Sequence, residues 1–128
     1  MVNCAQLNAG KRGDSLIEMS IRVADGKTDI IFIQEPWNLK KTNVKGGRFL
    51  VSNKKLDKPH RAAIWVSDIF ATASKCIVLE NLSDRDCTTI KAEIFIDGKP
   101  KTVLLSSIYM PTYEEKIITA ANGNTTTK

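Results

Sequence analysis

Asp29-Ile30-Ile31-Phe32-Ile33-Gln34-Glu35-Pro36 decides the fold class. Four consecutive β-branched or aromatic residues without a polar alternation predict a strand buried on both faces, and Pro36 ends it. Immediately upstream, Ser15-Leu16-Ile17-Glu18 has the form of a capping box, in which serine and glutamate satisfy the free amides of a helix start. Leu16, Ile17, Ile21, Val23 and Ala24 then share one helical face and Gly26 follows as a stop, so a helix is expected over Ser15–Asp25. Before it, Val2–Asn8 is a short apolar segment broken by Gly10-Lys11-Arg12-Gly13. The result is one β-α-β unit.

Downstream the pattern turns antiparallel. Strands are expected over Phe49–Ser52, Ala62–Ser67, Lys75–Leu79, Cys87–Ile96 and Thr102–Tyr109, the last two joined by Asp97-Gly98, a strong hairpin signal. Within Cys87–Ile96, Thr89, Lys91, Glu93 and Phe95 alternate with Ile90, Ala92, Ile94 and Ile96, which predicts one wet face. Tyr113–Ala121 suits a short helix, and 122–128 a polar, fraying tail. The fold class is therefore α/β with a mixed, mostly antiparallel sheet. One good helix is too little cover for such a sheet, whose inner face is expected to lie bare and to favour self-association.

At 128 residues the chain has room for one modest core. Hydrophobic residues at 42% and charged residues at 26% exclude wholesale disorder, and no apolar run is long enough to span a membrane. Cys4, Cys76 and Cys87 are odd in number and widely spaced, so they read as reduced, buried small hydrophobes. With no signal-peptide layout at the start, a nuclear or cytoplasmic location is expected and secretion is not. The net charge of +5 is unevenly spread. Lys40, Lys41, Lys45, Arg48, Lys54, Lys55, Lys58 and Arg61 face one acid, Asp57, within 38–61, a field suited to a polyanion such as DNA. A lysine-rich solubilising loop would look the same.

Three strands end in a polar group: Asn8, Glu35 and Tyr109. Open α/β sheets place ligands at the carboxyl ends of their strands, and a fixed carboxylate there suits Mg²⁺, which takes oxygen ligands and keeps several waters. A solvent-facing glutamate, a turn asparagine and a rim tyrosine are the plainer alternatives.

Gln6-Leu7-Asn8, Gln34-Glu35-Pro36-Trp37 after the apolar run, Arg61-Ala62-Ala63-Ile64-Trp65-Val66 and Ser106-Ser107-Ile108-Tyr109-Met110-Pro111 occur in a telling order. In that order the chain resembles the N-terminal half of an endonuclease/exonuclease/phosphatase domain, over residues 2–111. More narrowly, it resembles the apurinic-endonuclease-like domain of non-LTR retrotransposons, which accompanies a reverse transcriptase. The resemblance implies part of a four-layer α/β sandwich, phosphodiester hydrolysis dependent on Mg²⁺ or Mn²⁺, and DNA as substrate. It makes Glu35 the metal ligand, Asn8 an organiser of the metal cluster and Tyr109 a contact to the scissile phosphate. The basic residues Lys40, Lys41, Lys45, Lys54, Lys55 and Arg61 would hold the nucleic acid.

The chain departs from the family pattern after Tyr109. There the family carries an Asp-x-Asn pair and later an Asp-His pair, which orient and activate water. The 19 residues from Met110 to Lys128 contain neither Asp nor His, and the sole histidine, His60, lies upstream. Gly10 also stands where some relatives carry an acid or amide. The expectation is a truncated domain, inactive alone, whose metal binding is weak or absent. A non-catalytic nucleic-acid-binding module acting through 38–61 is the alternative, and a marginal fragment without function a third.

Overall fold

The computed structural model describes residues 2–10, 19, 23, 26–36, 39, 44–56 and 58–110. The apolar run becomes β2 (Ile30–Gln34), preceded by β1 (Cys4–Asn8) and followed by β3 (Gly47–Leu50) and β4 (Ala62–Ser67). These four form one sheet in the order β1-β2-β4-β3. β1 runs parallel to β2 with Asn8 opposite Gln34, and β4 runs antiparallel to both β2 and β3. Of the expected helix over Ser15–Asp25 only Met19 and Val23 are described; both are helical and both pack into the core.

After β4 the chain crosses to a second sheet. Ser67 caps α1 (Asp68–Ala73), its hydroxyl accepting the Phe70 amide at 3.1 Å. Then follow β5 (Ile77–Val78), a 3-10 turn (Glu80–Leu82), β6 (Cys87–Ile96) and β7 (Lys99–Ile108), an antiparallel sheet in the order β5-β6-β7. Asp97 and Gly98 both adopt left-handed φ, 52° and 76°, the twist that a two-residue hairpin needs.

Two cores result. Leu7, Ile31, Ile33, Ala63 and Trp65 pack with Met19 and Val44 on one face of the four-stranded sheet. Ile30, Ile64, Val66, Phe70, Ile90 and Ala92 fill the space between the sheets. Gly47 is obligatory in this packing, because a Cβ there would run into the Val66 carbonyl and the Trp65 ring.

Three expectations are corrected. The strands divide between two sheets instead of joining one, because α1 carries the chain across. The inner face is consequently covered, not bare. The exposed apolar side chains Ile77, Phe95, Leu104 and Ile108 lie instead on the outer face of the three-stranded sheet. Third, all three cysteines are free, but Cys4 is exposed and the other two only half-buried. Strand β7 also begins at Lys99, three residues before its expected start. No described helix is long and apolar enough to cross a membrane. The helix and tail expected beyond Pro111 lie outside the described residues.

Candidate functional site

Strand register and hydrogen bonds between the sheets bring five strand ends to one rim. Asn8 and Gln34 end β1 and β2 side by side, and Ala62 opposite Gln34 begins β4. Cys87, which begins β6, pairs with Ile108, which ends β7. Polar side chains pin the sheets together here. The buried Ser107 hydroxyl donates to the Ile33 carbonyl at 2.9 Å and accepts from Gln34 Nε2 at 3.2 Å. The buried Thr88 hydroxyl donates to the Ala62 carbonyl at 3.0 Å, and Gln6 Nε2 donates to Gln34 Oε1 at 3.1 Å.

Glu35 follows β2 directly and is half-buried. Its φ of 49° is left-handed, and a following proline by itself favours extended backbone, so the position holds strain. The Glu35 amide donates to the Arg61 carbonyl at 2.8 Å, which fixes the turn. Asn8 closes its own turn, with Oδ1 accepting the Gly10 amide at 3.0 Å.

Arg61 stands between the sheets. Its Nε and Nη2 donate to Asp86 Oδ1 and Oδ2 at 2.6 and 2.7 Å, a two-pronged charged pair. Its guanidinium also lies 4.4 Å from the centroid of the Tyr109 ring. The Tyr109 amide donates to the Asp86 carbonyl at 2.8 Å. Hydrogen bonds from Arg61 hold the Asp86 carboxyl below its usual range, reinforced by the charges of Arg61 and Arg85 and opposed by burial. Asn8, Glu35 and Tyr109 thus stand at strand ends on one rim.

The basic segment is divided. Gly47 and Arg48 pair with Ser67 and Val66, at the far end of β4 from the rim. Arg48 is therefore roughly 13 Å along the strand from Ala62, and Lys45 lies in the turn before β3 at that same far end. Lys54, Lys55 and Lys58 are exposed in the loop that leads back to Arg61. That loop is clasped by Glu80, which accepts the Ser52 hydroxyl at 2.7 Å and the Asn53 amide. The Ser52 hydroxyl is the main cause of a Glu80 carboxyl lowered from its ordinary value. Lys54 Nζ donates to the Ser83 carbonyl at 2.7 Å, and His60 Nε2 lies 3.1 Å from the Ser52 carbonyl. Trp37, Lys40 and Lys41 lie outside the described residues.

Comparison with solved structures finds the endonuclease domain of TRAS1, a telomere-specific non-LTR retrotransposon. The match has a TM-score of 0.65 at 22% identity and covers 95% of this chain. The chain shares the fold of that domain over the part it covers. It covers 53% of the other chain, so it spans about half of that length. The order of motifs and the fold therefore agree, over nearly the whole sequence. No protein-family model and no curated protein matches.

Glu35 and Asn8 stand at the ends of two paired strands and each carries an oxygen donor, the ligand type of a hard divalent cation, with the Asn8 oxygen also accepting the Gly10 amide. No group of three His, Cys, Asp or Glu gathers among the described residues. Sequence reasoning missed Asp86. Its signal lay in the hairpin register: with Cys87 opposite Ile108, the residue before Cys87 must adjoin Tyr109.

Proposed function

We propose that this chain is the metal- and phosphate-holding part of a DNA-cleaving endonuclease domain of the retrotransposon type. The observation that carries the reading is the convergence of Glu35, Asn8 and Tyr109 on one rim of this fold. In the whole domain the two sheets would form the inner layers of a four-layer sandwich. A bound Mg²⁺ or Mn²⁺ would polarise the phosphoryl oxygen and stabilise the leaving alkoxide. Glu35 and Asn8 would supply oxygen ligands to such an ion, and the Tyr109 hydroxyl would donate to a phosphate oxygen. The Asp-x-Asn and Asp-His pairs that would orient water have no counterpart after Tyr109, because residues 110–128 carry neither Asp nor His, and His60 Nε2 lies against the Ser52 carbonyl. The isolated chain is therefore expected to be inactive, since general acid–base catalysis alone contributes about 10²–10⁴ in rate. A DNA substrate fits a nuclear or cytoplasmic protein.

Mn²⁺ titration followed by electron paramagnetic resonance tests the metal site. Weak binding by the parent chain, lost in Glu35→Gln, is expected; equal binding by both would remove Glu35 from the site. In parallel, supercoiled plasmid should remain intact with Mg²⁺. Nicking that disappears in Glu35→Gln would show that the chain suffices for catalysis.

The exposed Lys54, Lys55 and Lys58 beside the rim favour a second reading, non-catalytic binding of nucleic acid. Lysines act on phosphate as point charges, so binding would be independent of sequence. With about four phosphate contacts the logarithmic salt slope on duplex DNA is roughly −3.6, with dissociation constants around 10⁻⁴–10⁻⁶ M at physiological salt. Changing Lys40, Lys41, Lys54 and Lys55 to Gln should flatten that slope in an anisotropy titration. An unchanged slope would leave a solubilising loop.

A further inference from the structure

One residue touches both halves of the rim. Arg61 holds the Glu35 amide on its carbonyl at 2.8 Å, and its own amide donates to the Arg85 carbonyl at 2.6 Å. Its side chain, 18% exposed, grips Asp86 with two donors and lies against the Tyr109 ring. Asp86 closes the circuit by accepting the Tyr109 amide. From these contacts we infer that Arg61 is a positioning residue, setting the Tyr109 hydroxyl against the Glu35 carboxylate. The inference rests on the reading of Glu35 as a metal ligand and Tyr109 as a phosphate contact.

The chemistry of the guanidinium explains the choice of residue. A tyrosine at a strand end can swing about χ1, and one face of its ring must be held if its hydroxyl is to keep one position. A flat cation stacked on the ring does so, provided that the cation itself cannot rotate. The two parallel bonds to Asp86 prevent that rotation. Lysine would keep the charge without the plane or the fork. With two of its donors on Asp86, Arg61 acts through Tyr109 instead of offering that fork to a phosphate.

The test uses the full chain with ¹³C-labelled tyrosine and Tyr113→Phe, which leaves Tyr109 as the only tyrosine. Mn²⁺ is the probe, and its broadening of the Tyr109 ring signals reads the distance between metal and ring. Arg61→Met should bind Mn²⁺ as the parent does while the broadening falls several-fold, and Arg61→Lys should not restore it. A purely structural arginine would lower the melting temperature of the variants and leave the broadening of the folded molecules unchanged. That outcome overturns the inference and spares the metal site. Should Arg61→Met fail to fold, Asp86→Asn keeps one acceptor for the fork and should show a partial loss, whereas parental broadening there overturns the inference. If the parent binds no Mn²⁺, the metal reading fails and Tyr109 χ1 couplings decide the positioning role. A single rotamer in the parent that becomes averaged in Arg61→Met supports it; the same couplings in both overturn it.

Discussion

The two sheets are clothed differently. In the four-stranded sheet, the central strands β2 and β4 send alternate side chains into two separate cores, and all five residues from Ala62 to Val66 are inaccessible to solvent. In the three-stranded sheet only one face is covered: Ile90 and Ala92 point inward, while Phe95 and Leu104 remain 75% and 56% exposed. Among the described residues no strand pairs with the outer edge of β7. The difference matters for the site because Glu35 extends from the well-covered sheet and Tyr109 from the other. Their separation is kept by the polar seam at the rim, not by a shared strand.

Substitutions can break or sharpen this contrast. The largest effect is expected in the doubly covered sheet, where Trp65→Ala should cost about 3–5 kcal/mol in urea unfolding. Loss of less than about 1 kcal/mol would mean that this sheet does not carry the stability, since even an Ile→Val trim in a core costs 0.5–1.5. At the seam, Ser107→Ala removes the donor to Ile33 and the acceptor for Gln34, and an effect of about 1–3 kcal/mol is expected.

Acid should loosen the seam next. Because the Asp86 carboxyl is held low in the folded state, its contribution is complete above its ordinary value of about 3.9 and is lost as pH falls through the lowered one. Thermal melts below about pH 4 should accordingly drop more steeply for the parent than for Asp86→Asn. Parallel curves would uncouple the Arg61 pair from folding. The smallest effect belongs to the bare face, where Phe95→Ser should shift stability by no more than about 0.5 kcal/mol. If the outer face drives self-association, sedimentation should find Phe95→Ser less associated than the parent; equal sedimentation would clear that face.

Where burial writes a local pattern, the fold was legible. Ala62–Ser67 and Cys87–Ile96 have the bounds that their residues suggest, and Asp97-Gly98 makes the turn. Expectation and structure part where pairing is non-local. Nothing within a strand says which sheet it joins, so the covering of the inner face was not readable. The short helix α1 was announced only by Ser67-Asp68, a cap at the end of a strand. Pro100 and its flanking lysines hid the start of β7, although proline at a sheet edge sacrifices no ladder bond. In the site, Asn8, Glu35 and Tyr109 stood out because each ends a strand. Asp86 did not, lying among loop charges and meeting Arg61 across 25 residues.

The left-handed backbone at Glu35 sets folding and chemistry against each other at one position. An L residue with a bulky side chain adopts that conformation at roughly 1–2 kcal/mol, while asparagine or glycine tolerates it more readily. Glu35→Asn or Glu35→Gly would therefore relax the turn that follows β2. The glutamate stands there against the preference of the backbone, so position 35 separates what the fold favours from what the side chain is for.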